Sequence, residues 1–488
     1  MSFAHLISVI GDNAIAGVLG IPLISILVLA FLPSYRAAAA LNIAASFGSL
    51  IAALALFGAD PFANDLFLID SFNIYMIALN CFVAFTTSVF SASYIEHELE
   101  TGRLTPPLMR FYHAMYQAMI GAMNLAFVSN DVGLMWVGVE IATLVTVMMV
   151  GLYRTPAAIE AAWKYFILGS VGIALAFFGT ILVYLAAQGT LGEGLPALAW
   201  TRLQAAAGHF DPSLLSLAFV FFLVGYGTKV GIAPLHAWLP DAHAEGPTPI
   251  SAVLSGLLLN VAMYALLRFK MILSANTEAL HPGPIMITMG LASLFFAAFM
   301  LYKQQDIKRF FAYSSIEHMG IITFAFGMGG PLANLAGLMQ MTMHSLTKSG
   351  IFFTVGHIAQ AKNSQRFDDL RGLSVSHPHL AWGLAMGVIA ICGLPPFGVF
   401  TSEFYVLSSA FDKAPFLTLL LALGLLIAFG AMLMRLQDVL FGTPSAVNHR
   451  DTASHIPLFV HFSLVLLAGV YLPKPLLHWF QQTAALLP

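Results

Sequence analysis

The chain returns about fourteen times to an apolar run close to the length of a bilayer, and that repetition settles its fold class. About 20 apolar residues cross the hydrocarbon core as a helix. The runs lie at 14–32, 38–58, 70–93, 111–128, 131–151, 163–187, 213–239, 248–270, 284–302, 309–328, 331–359, 380–411, 415–437 and 456–473. Between them little is left for a soluble domain, and the polar stretches near 94–110, 188–212 and 360–380 read as loops. Only 9% of the 488 residues are charged, against about 25% in a soluble protein, so a water-soluble enzyme is excluded. A net charge of −3 leaves no basic footprint for nucleic acid. Cys81 and Cys392 both sit in apolar runs, which argues against a disulfide framework or a thiolate metal site.

The expected fold is all-α: a polytopic membrane protein of about fourteen transmembrane helices. No basic segment precedes the first run, since the first Lys or Arg is Arg36, so span 1 is expected to stay rather than to be cleaved. Positive charge sets orientation. Twelve Lys and Arg follow odd-numbered spans: Arg36, Arg103, Arg110, Arg154, Lys303, Lys308, Arg309, Lys362, Arg366, Arg371, Arg435 and Arg450. Five fall on the other side: Arg202, Arg268, Lys270, Lys413 and Lys474. That bias places both termini in the periplasm of a bacterium, with the chain in the inner membrane.

Two spans are interrupted in matching places. Span 7 carries Lys229-Val-Gly231-Ile-Ala-Pro234-Leu-His236, and span 12 carries Gly393-Leu-Pro395-Pro396-Phe-Gly398. Proline removes a backbone donor and clashes with the preceding turn, and inside a membrane the freed groups must be satisfied by protein or cavity water. Taking spans 4–8 and 9–13 as two blocks of five puts a break in the fourth helix of each, and a block of five inverts its successor. The pattern points to an inverted repeat with a transport path near the midplane, against the alternative of ordinary kinks. The corresponding segments are 1–110 for spans 1–3 and a loop, 111–272 and 284–440 for the two repeats, and 441–488 for span 14.

Three lysines lie within or at the edge of spans: Lys164, Lys229 and Lys348. A charge at the bilayer centre costs about 2.5–3.5 kcal/mol on insertion scales, so such residues usually face a wet interior and work. Glu140 in span 5 and Lys229 at the first break form the leading pair, because a carboxylate favours the charged lysine while desolvation favours the neutral one. Lys164 lies near a helix start and can instead snorkel to the interface. His344 and Lys348 are four apart and share a helix face. His236, His318 and Glu403 complete the set, histidine being suited to relaying protons near neutral pH. His236 and His243 are seven apart with prolines between them, a poor metal-ligand spacing, so no metal is assigned, and there is no phosphate loop or CxxC.

These segments resemble a known family: the antiporter-like membrane subunits of complex I, group 4 [NiFe]-hydrogenases and Mrp cation/proton antiporters. The likeness is carried by Lys229 through Pro249, by Tyr264-Ala-Leu-Leu-Arg268-Phe, by Lys308-Arg309-Phe-Phe-Ala-Tyr313-Ser-Ser-Ile-Glu317-His318-Met-Gly320, by His344-Ser-Leu-Thr-Lys348, and by Gly393 through Phe404. It spans about residues 70–440 and is most similar to the hydrogenase-4 branch, whose members are membrane-arm components of formate-hydrogenlyase-type complexes. The resemblance implies fourteen helices with two inverted repeats and proton translocation along a hydrated polar axis. On it, Glu140, Lys229, Lys348 and Glu403 match the family's helix-5 glutamate, helix-7 lysine, helix-11 lysine and helix-12 acid, and His318 and His344 the nearby histidines. Where relatives often have Lys or His in helix 8 this chain has Asn260, which cannot titrate. The long lateral helix of the terminal complex I pump subunit is expected to be absent.

The resemblance further implies partners, namely other membrane and peripheral subunits of a hydrogenase-like complex. Redox cofactors are expected in those partners and none in this chain, which carries no catalytic residue of its own. The competing readings are a subunit of an Mrp-type cation/proton antiporter, a stand-alone solute transporter, and the membrane partner of an inorganic-carbon uptake complex.

Overall fold

The computed structural model describes residues 3–444 and 454–488; Arg450, counted above on the more basic side, lies outside the described residues. The helices in chain order are α1 (Phe3–Phe31), α2 (Tyr35–Ala55), α3 (Ser71–Glu100), α4 (Pro106–Val128), α5 (Val132–Val150), α6 (Pro156–Leu191), α7 (Trp200–Ala206), α8 (Pro212–Val230), α9 (Leu239–Glu245) and α10 (Thr248–Val253). They continue as α11 (Leu259–Ser274), α12 (Gly283–Leu301), α13 (Ile307–Met328), α14 (Pro331–Lys362), α15 (Leu373–Ser376), α16 (Pro378–Ile391), α17 (Gly398–Lys413), α18 (Pro415–Phe441), α19 (Ile456–Val470) and α20 (Lys474–Leu486). One short hairpin, β1 (Phe62–Ala63) with β2 (Leu68–Ile69), precedes α3.

Each of the fourteen apolar runs coincides with a helix or a pair of helices. Among the described residues, nine helices are long and apolar enough to cross a membrane by length and composition. Spans 7 and 12 are broken as expected, into α8 with α9 and α16 with α17. Span 8 is also irregular: its helix runs Thr248–Ser274 through a π turn at Leu254–Leu258, just before Asn260. All three loop assignments need correction, the 360–380 stretch because it contains α15 (Leu373–Ser376) and the ends of its neighbours. The stretch 94–100 is helical, because Tyr94-Ile-Glu-His-Glu-Leu-Glu is rich in helix formers and simply extends α3. The 188–212 stretch contains α7, anchored by the Trp200 indole N–H donating to the Arg268 carbonyl at 2.8 Å. The sequence reading also missed α20, which leaves α19 at 82°.

The chain divides into two compact units: Met1–Val230 with Leu257–Pro282 and Pro488, and Gly231–Gly256 with Gly283–Leu487. In the first, α6 and α8 pack so closely that a Cβ at Gly225 would sit 2.6 Å from the Ala176 amide nitrogen and the Gly172 carbonyl. Without a hydrophobic drive between helices in lipid, such small-residue contacts and interhelical hydrogen bonds hold the bundle. The second unit uses the same device, Gly290 of α12 lying against the Gly320 carbonyl of α13.

Arg268, counted above as a loop charge, is instead a buried residue of α11. Its guanidinium meets Asp70 twice, Nη1 to Oδ2 at 2.7 Å and Nη2 to Oδ1 at 2.8 Å, and Nε donates to the Tyr264 hydroxyl at 2.9 Å. The cation lies 4.4 Å from the Trp200 ring and 5.2 Å from that of Phe72. Asp70 also caps α3 by accepting from the Phe72 and Asn73 amides. One carboxylate therefore fixes both a helix start and a buried cation. Removing one member of a buried ion pair typically costs 3–5 kcal/mol. Arg268→Met should therefore lower unfolding stability in detergent by about that much, and adding Asp70→Asn should recover part of it. Unfolding unchanged from the parent protein would show the pair to be water-exposed and dispensable.

Candidate functional site

The first broken helix ends on a lysine. Lys229 occupies the last turn of α8, where unpaired carbonyls and the helix dipole favour a cation. The chain then turns at Gly231, with φ 78°, through the cis Ala233–Pro234 bond into α9. Lys229 is almost fully buried, and its ammonium has no hydrogen-bond partner. It lies 5.6 Å from the centre of the Tyr165 ring, whose hydroxyl is 2.8 Å from Thr146 Oγ1. Room for the ammonium comes from Gly169 of α6, where a Cβ would approach Nζ to 2.6 Å. Glu140 of α5 is the charge that acts on Lys229, yet its Oε2 is also unpaired. Two opposite charges thus share a low-dielectric site without closing an ion pair. Lys164 is exposed on α6, and its ammonium lies 2.7 Å from Glu160, one turn back on the same helix. Asn260 is buried on α11.

In the second unit the polar groups are joined. Gln340, His344 and Lys348 lie on one face of α14, four residues apart. The Gln340 amide donates to His318 Nδ1 at 2.9 Å and to Glu403 Oε1 at 3.4 Å, while the Ser402 hydroxyl donates to Gln340 Oε1. His318 Nδ1 is 3.7 Å from Glu403 Oε1, and the His318 and His344 rings are 5.7 Å apart. One turn on, the Lys348 ammonium donates to the Phe311 carbonyl at 2.9 Å, under the electrostatic influence of Glu317. Glu317 is buried on α13 with Oε2 unpaired.

The second break holds the acid in place. Gly393 has φ 62°, and a Cβ there would overlap the Glu403 carboxylate. Of the remaining histidines, His243 on α9 stacks on Phe352 at 4.9 Å and lies within electrostatic reach of Lys348. His236, inside the first break, packs on Phe296 at 4.4 Å instead. The α9 helix is held at its end by Lys308, whose ammonium donates to the Ala244 and Gly246 carbonyls at 3.1 and 2.6 Å, and by Arg309, 2.6 Å from Asp241. At the same loop Asp306 caps α13, and burial pushes its carboxyl above the usual range despite the Arg309 amide it accepts from.

The structure thus brings His318, His344, Lys348 and Glu403 into one cluster and Glu140 with Lys229 into another. Sequence reasoning missed Glu317, Gln340 and Ser402. Gln340 was legible as the first of three polar residues at i, i+4 and i+8 on an otherwise apolar face. Glu317 lay beside a histidine already singled out, but only the fold reveals that its carboxylate faces Lys348. Among the described residues no group of His, Cys, Asp and Glu is arranged to hold a metal ion.

Residues 129–429 match the family described as NADH:quinone oxidoreductase/Mrp antiporter, transmembrane, and the chain belongs to that family of antiporter-like membrane subunits. It is 58% identical over 97% of its length, and 99% of the relative's, to the hydrogenase-4 component F homolog of Methylacidiphilum infernorum. It is 29% identical to NADH-quinone oxidoreductase subunit M of Escherichia coli over 75% of this chain and 73% of that one. In fold it is similar to a subunit of the archaeal membrane-bound sulfane sulfur reductase, with TM-score 0.86 and 21% identity over 97% of both chains. It is also similar to a chain of the Dietzia Mrp complex, with TM-score 0.83 and 17% identity over 98% of this chain and 97% of that one. The all-α, multi-pass architecture and the antiporter-like assignment read from the residues both hold.

The two glycines that make room for charge should respond differently to a methyl group. At Gly169 the obstacle is the far end of a flexible lysine, so Gly169→Ala should change unfolding stability in detergent very little. At Gly393 the left-handed backbone itself costs about 1–2 kcal/mol for an L-residue, and the carboxylate must move as well. Gly393→Ala should therefore be the more destabilising of the two, and the reverse order would contradict this placement of Glu403.

Proposed function

We propose that this chain carries protons across the membrane as one subunit of a multi-subunit respiratory complex, with redox chemistry and its cofactors in partner chains. The observation that supports this most is the pair of buried charge clusters, each beside a broken helix and each containing unpaired polar atoms. Unpaired buried polar groups are rare and are normally supplied by water or by movement. In the first cluster an ionised Glu140 holds Lys229 as an ammonium. When a proton neutralises that carboxylate, desolvation favours the free amine and Lys229 gives its proton up. In the second cluster Glu317 plays the same part for Lys348. Gln340 links His318 to Glu403, so that a proton on one is felt by the other. His344 and His243 flank this group and His236 lines the first break, while Asn260 can anchor a water but cannot hold a net proton.

The 58% identical relative is named as a hydrogenase-4 component, which favours hydrogenase-like partners. A second reading, a subunit of an Mrp-type cation/proton antiporter, is supported by the TM-score of 0.83 to the Mrp complex. Purification of the intact complex separates the two, since only one brings redox subunits with it. In vesicles holding that complex, Glu140→Gln or Lys229→Ala should each remove most proton uptake, and the double variant should cost little more, because residues acting as a unit are non-additive. Additive losses, or near-normal uptake in either single variant, would sink the pair. Assembly must be checked alongside, since an unpaired buried charge also destabilises.

The chain is placed in the inner membrane of a bacterium, with both termini in the periplasm. The excess of Lys and Arg after odd-numbered spans supports that orientation, and setting aside Arg268, which is buried in α11, leaves its sign unchanged. A reporter active only in the cytoplasm, fused after Pro488, should be silent, and strong activity would invert the topology.

A further inference from the structure

Where α5 turns into α6, the surface opens into a cleft of about 450 Å³, within the size range of small-molecule sites. Val147 and Met148 of α5, Ile159 and Phe166 of α6 and Phe111 of α4 line it. Ile159 to Phe166 is seven residues of helix, so the cleft runs about 10 Å along α6 at 1.5 Å per residue. One charged side chain stands among these apolar ones: Arg154, in the short connection between the two helices. Arg154 is exposed, and among the described residues its guanidinium has neither an ion-pair nor a hydrogen-bond partner. Its backbone is left-handed, with φ 55°, a conformation that L residues other than Asn and Asp rarely adopt.

Arg154 sets the charge of this place. Lys164, on the following turns of α6, is already matched by Glu160 at 2.7 Å. The end of α5 and the start of α6 meet at the connection with opposed helix dipoles, which largely cancel. The exposed Trp163 also lines the cleft, and tryptophan collects at the level of the lipid headgroups. Arg154 follows span 5, on the side that the proposed orientation makes cytoplasmic, where anionic lipids give the leaflet a negative surface.

Three occupants compete for such a cleft. Water is a poor one, because an apolar cavity stays dry. A transmembrane helix of a neighbouring subunit is about 10–12 Å across with its side chains, and over the same length it needs roughly twice the volume present. A hydrocarbon chain is thinner and matches the apolar lining, and an anionic head on that chain answers the unpaired guanidinium. We propose that this cleft binds one anionic phospholipid, with an acyl chain against Val147, Ile159 and Phe166 and its phosphate on Arg154. The lipid is held at both ends by different physics: the tail by apolar contact, the head by charge.

The test separates the two ends in the purified complex, using equal amounts of phosphatidylglycerol and phosphatidylcholine with identical chains. Lipids retained by the complex are counted by native mass spectrometry. Arg154→Gly removes the cation and also relieves the left-handed backbone, so the variant should unfold no more readily than the parent. Its preference for phosphatidylglycerol over phosphatidylcholine at this site should nevertheless fall about fivefold, the share that one basic side chain contributes near an anionic surface. Ala162 lines the cleft against Gly151, whose added Cβ would stand 3.3 Å from the Ala162 methyl. Ala162→Trp should therefore fill the cleft and release the lipid whatever its head. Unchanged phosphatidylglycerol retention in Arg154→Gly overturns the headgroup assignment, and a lipid still retained by an assembled Ala162→Trp complex overturns the cleft. A density map of the parent complex decides without any variant: an unbranched chain beside Phe166 with its head at Arg154 supports the proposal. A protein segment in the cleft, or an empty cleft in a map that shows lipid elsewhere on this chain, overturns it.

Discussion

Hydrocarbon offers no hydrogen bonds, and every unusual feature of this chain follows from how it meets that constraint. An unbroken helix satisfies its own backbone. A helix interrupted at Gly231 or Gly393 does not, and each interruption is accompanied by polar groups that would otherwise be out of place in lipid. The buried lysine at the end of α8 stands in the field of its own helix C-terminus without a hydrogen-bond partner. The buried lysine of α14 reaches the Phe311 carbonyl. Each cation is answered by a carboxylate, Glu140 or Glu317, acting through the low-dielectric interior rather than through a closed ion pair.

The contrast with Arg268 shows that burial alone does not make a charge functional. Arg268 is as deeply placed as Lys229, yet its guanidinium is engaged by Asp70, Tyr264 and the aromatic rings around it. A cation so fully answered has nothing to exchange. Lys229 faces a glycine on one side and has no hydrogen-bond partner, with Glu140, whose Oε2 is also unpaired, as the charge that acts on it. Arginine also keeps its charge under all ordinary conditions, whereas lysine shifts readily when buried. On the proposed function, the chain uses the two basic residue types for opposite ends, one to lock and one to switch.

Much of this is legible in the sequence, for identifiable reasons. The apolar runs locate the helices because a bilayer demands length and hydrophobicity together, and Gly and Pro mark the two breaks because they act locally. Glu140, Lys229, Lys348 and Glu403 stand out because charge inside such runs is costly. What escapes is whatever depends on a neighbour far along the chain. Gln340 shares a face with His344 and Lys348, a pattern open to a sequence reader, but its partners His318 and Glu403 come from other helices and only the fold reveals them. Glu317 is hidden next to a histidine that draws the attention, and Arg268 reads as a loop residue because it lies near a helix end. The helical stretch of α7 reads as loop for a related reason: its anchor, the carbonyl of Arg268, is 68 residues away.

The contact between Gly393 and Glu403 ties a buried carboxylate to the shape of the backbone. Gly393 closes α16 and Glu403 stands on α17, so the carboxylate bridges the very interruption that separates the two helices. Any change in the angle between them alters the separation of that carboxylate from Gly393, and with it the distances to Gln340 and His318. Hydrogen bonds tolerate only a few tenths of an ångström before they weaken. On the proposed function, a bend at this break therefore alters the very contacts that set how readily the Glu403 carboxylate holds a proton.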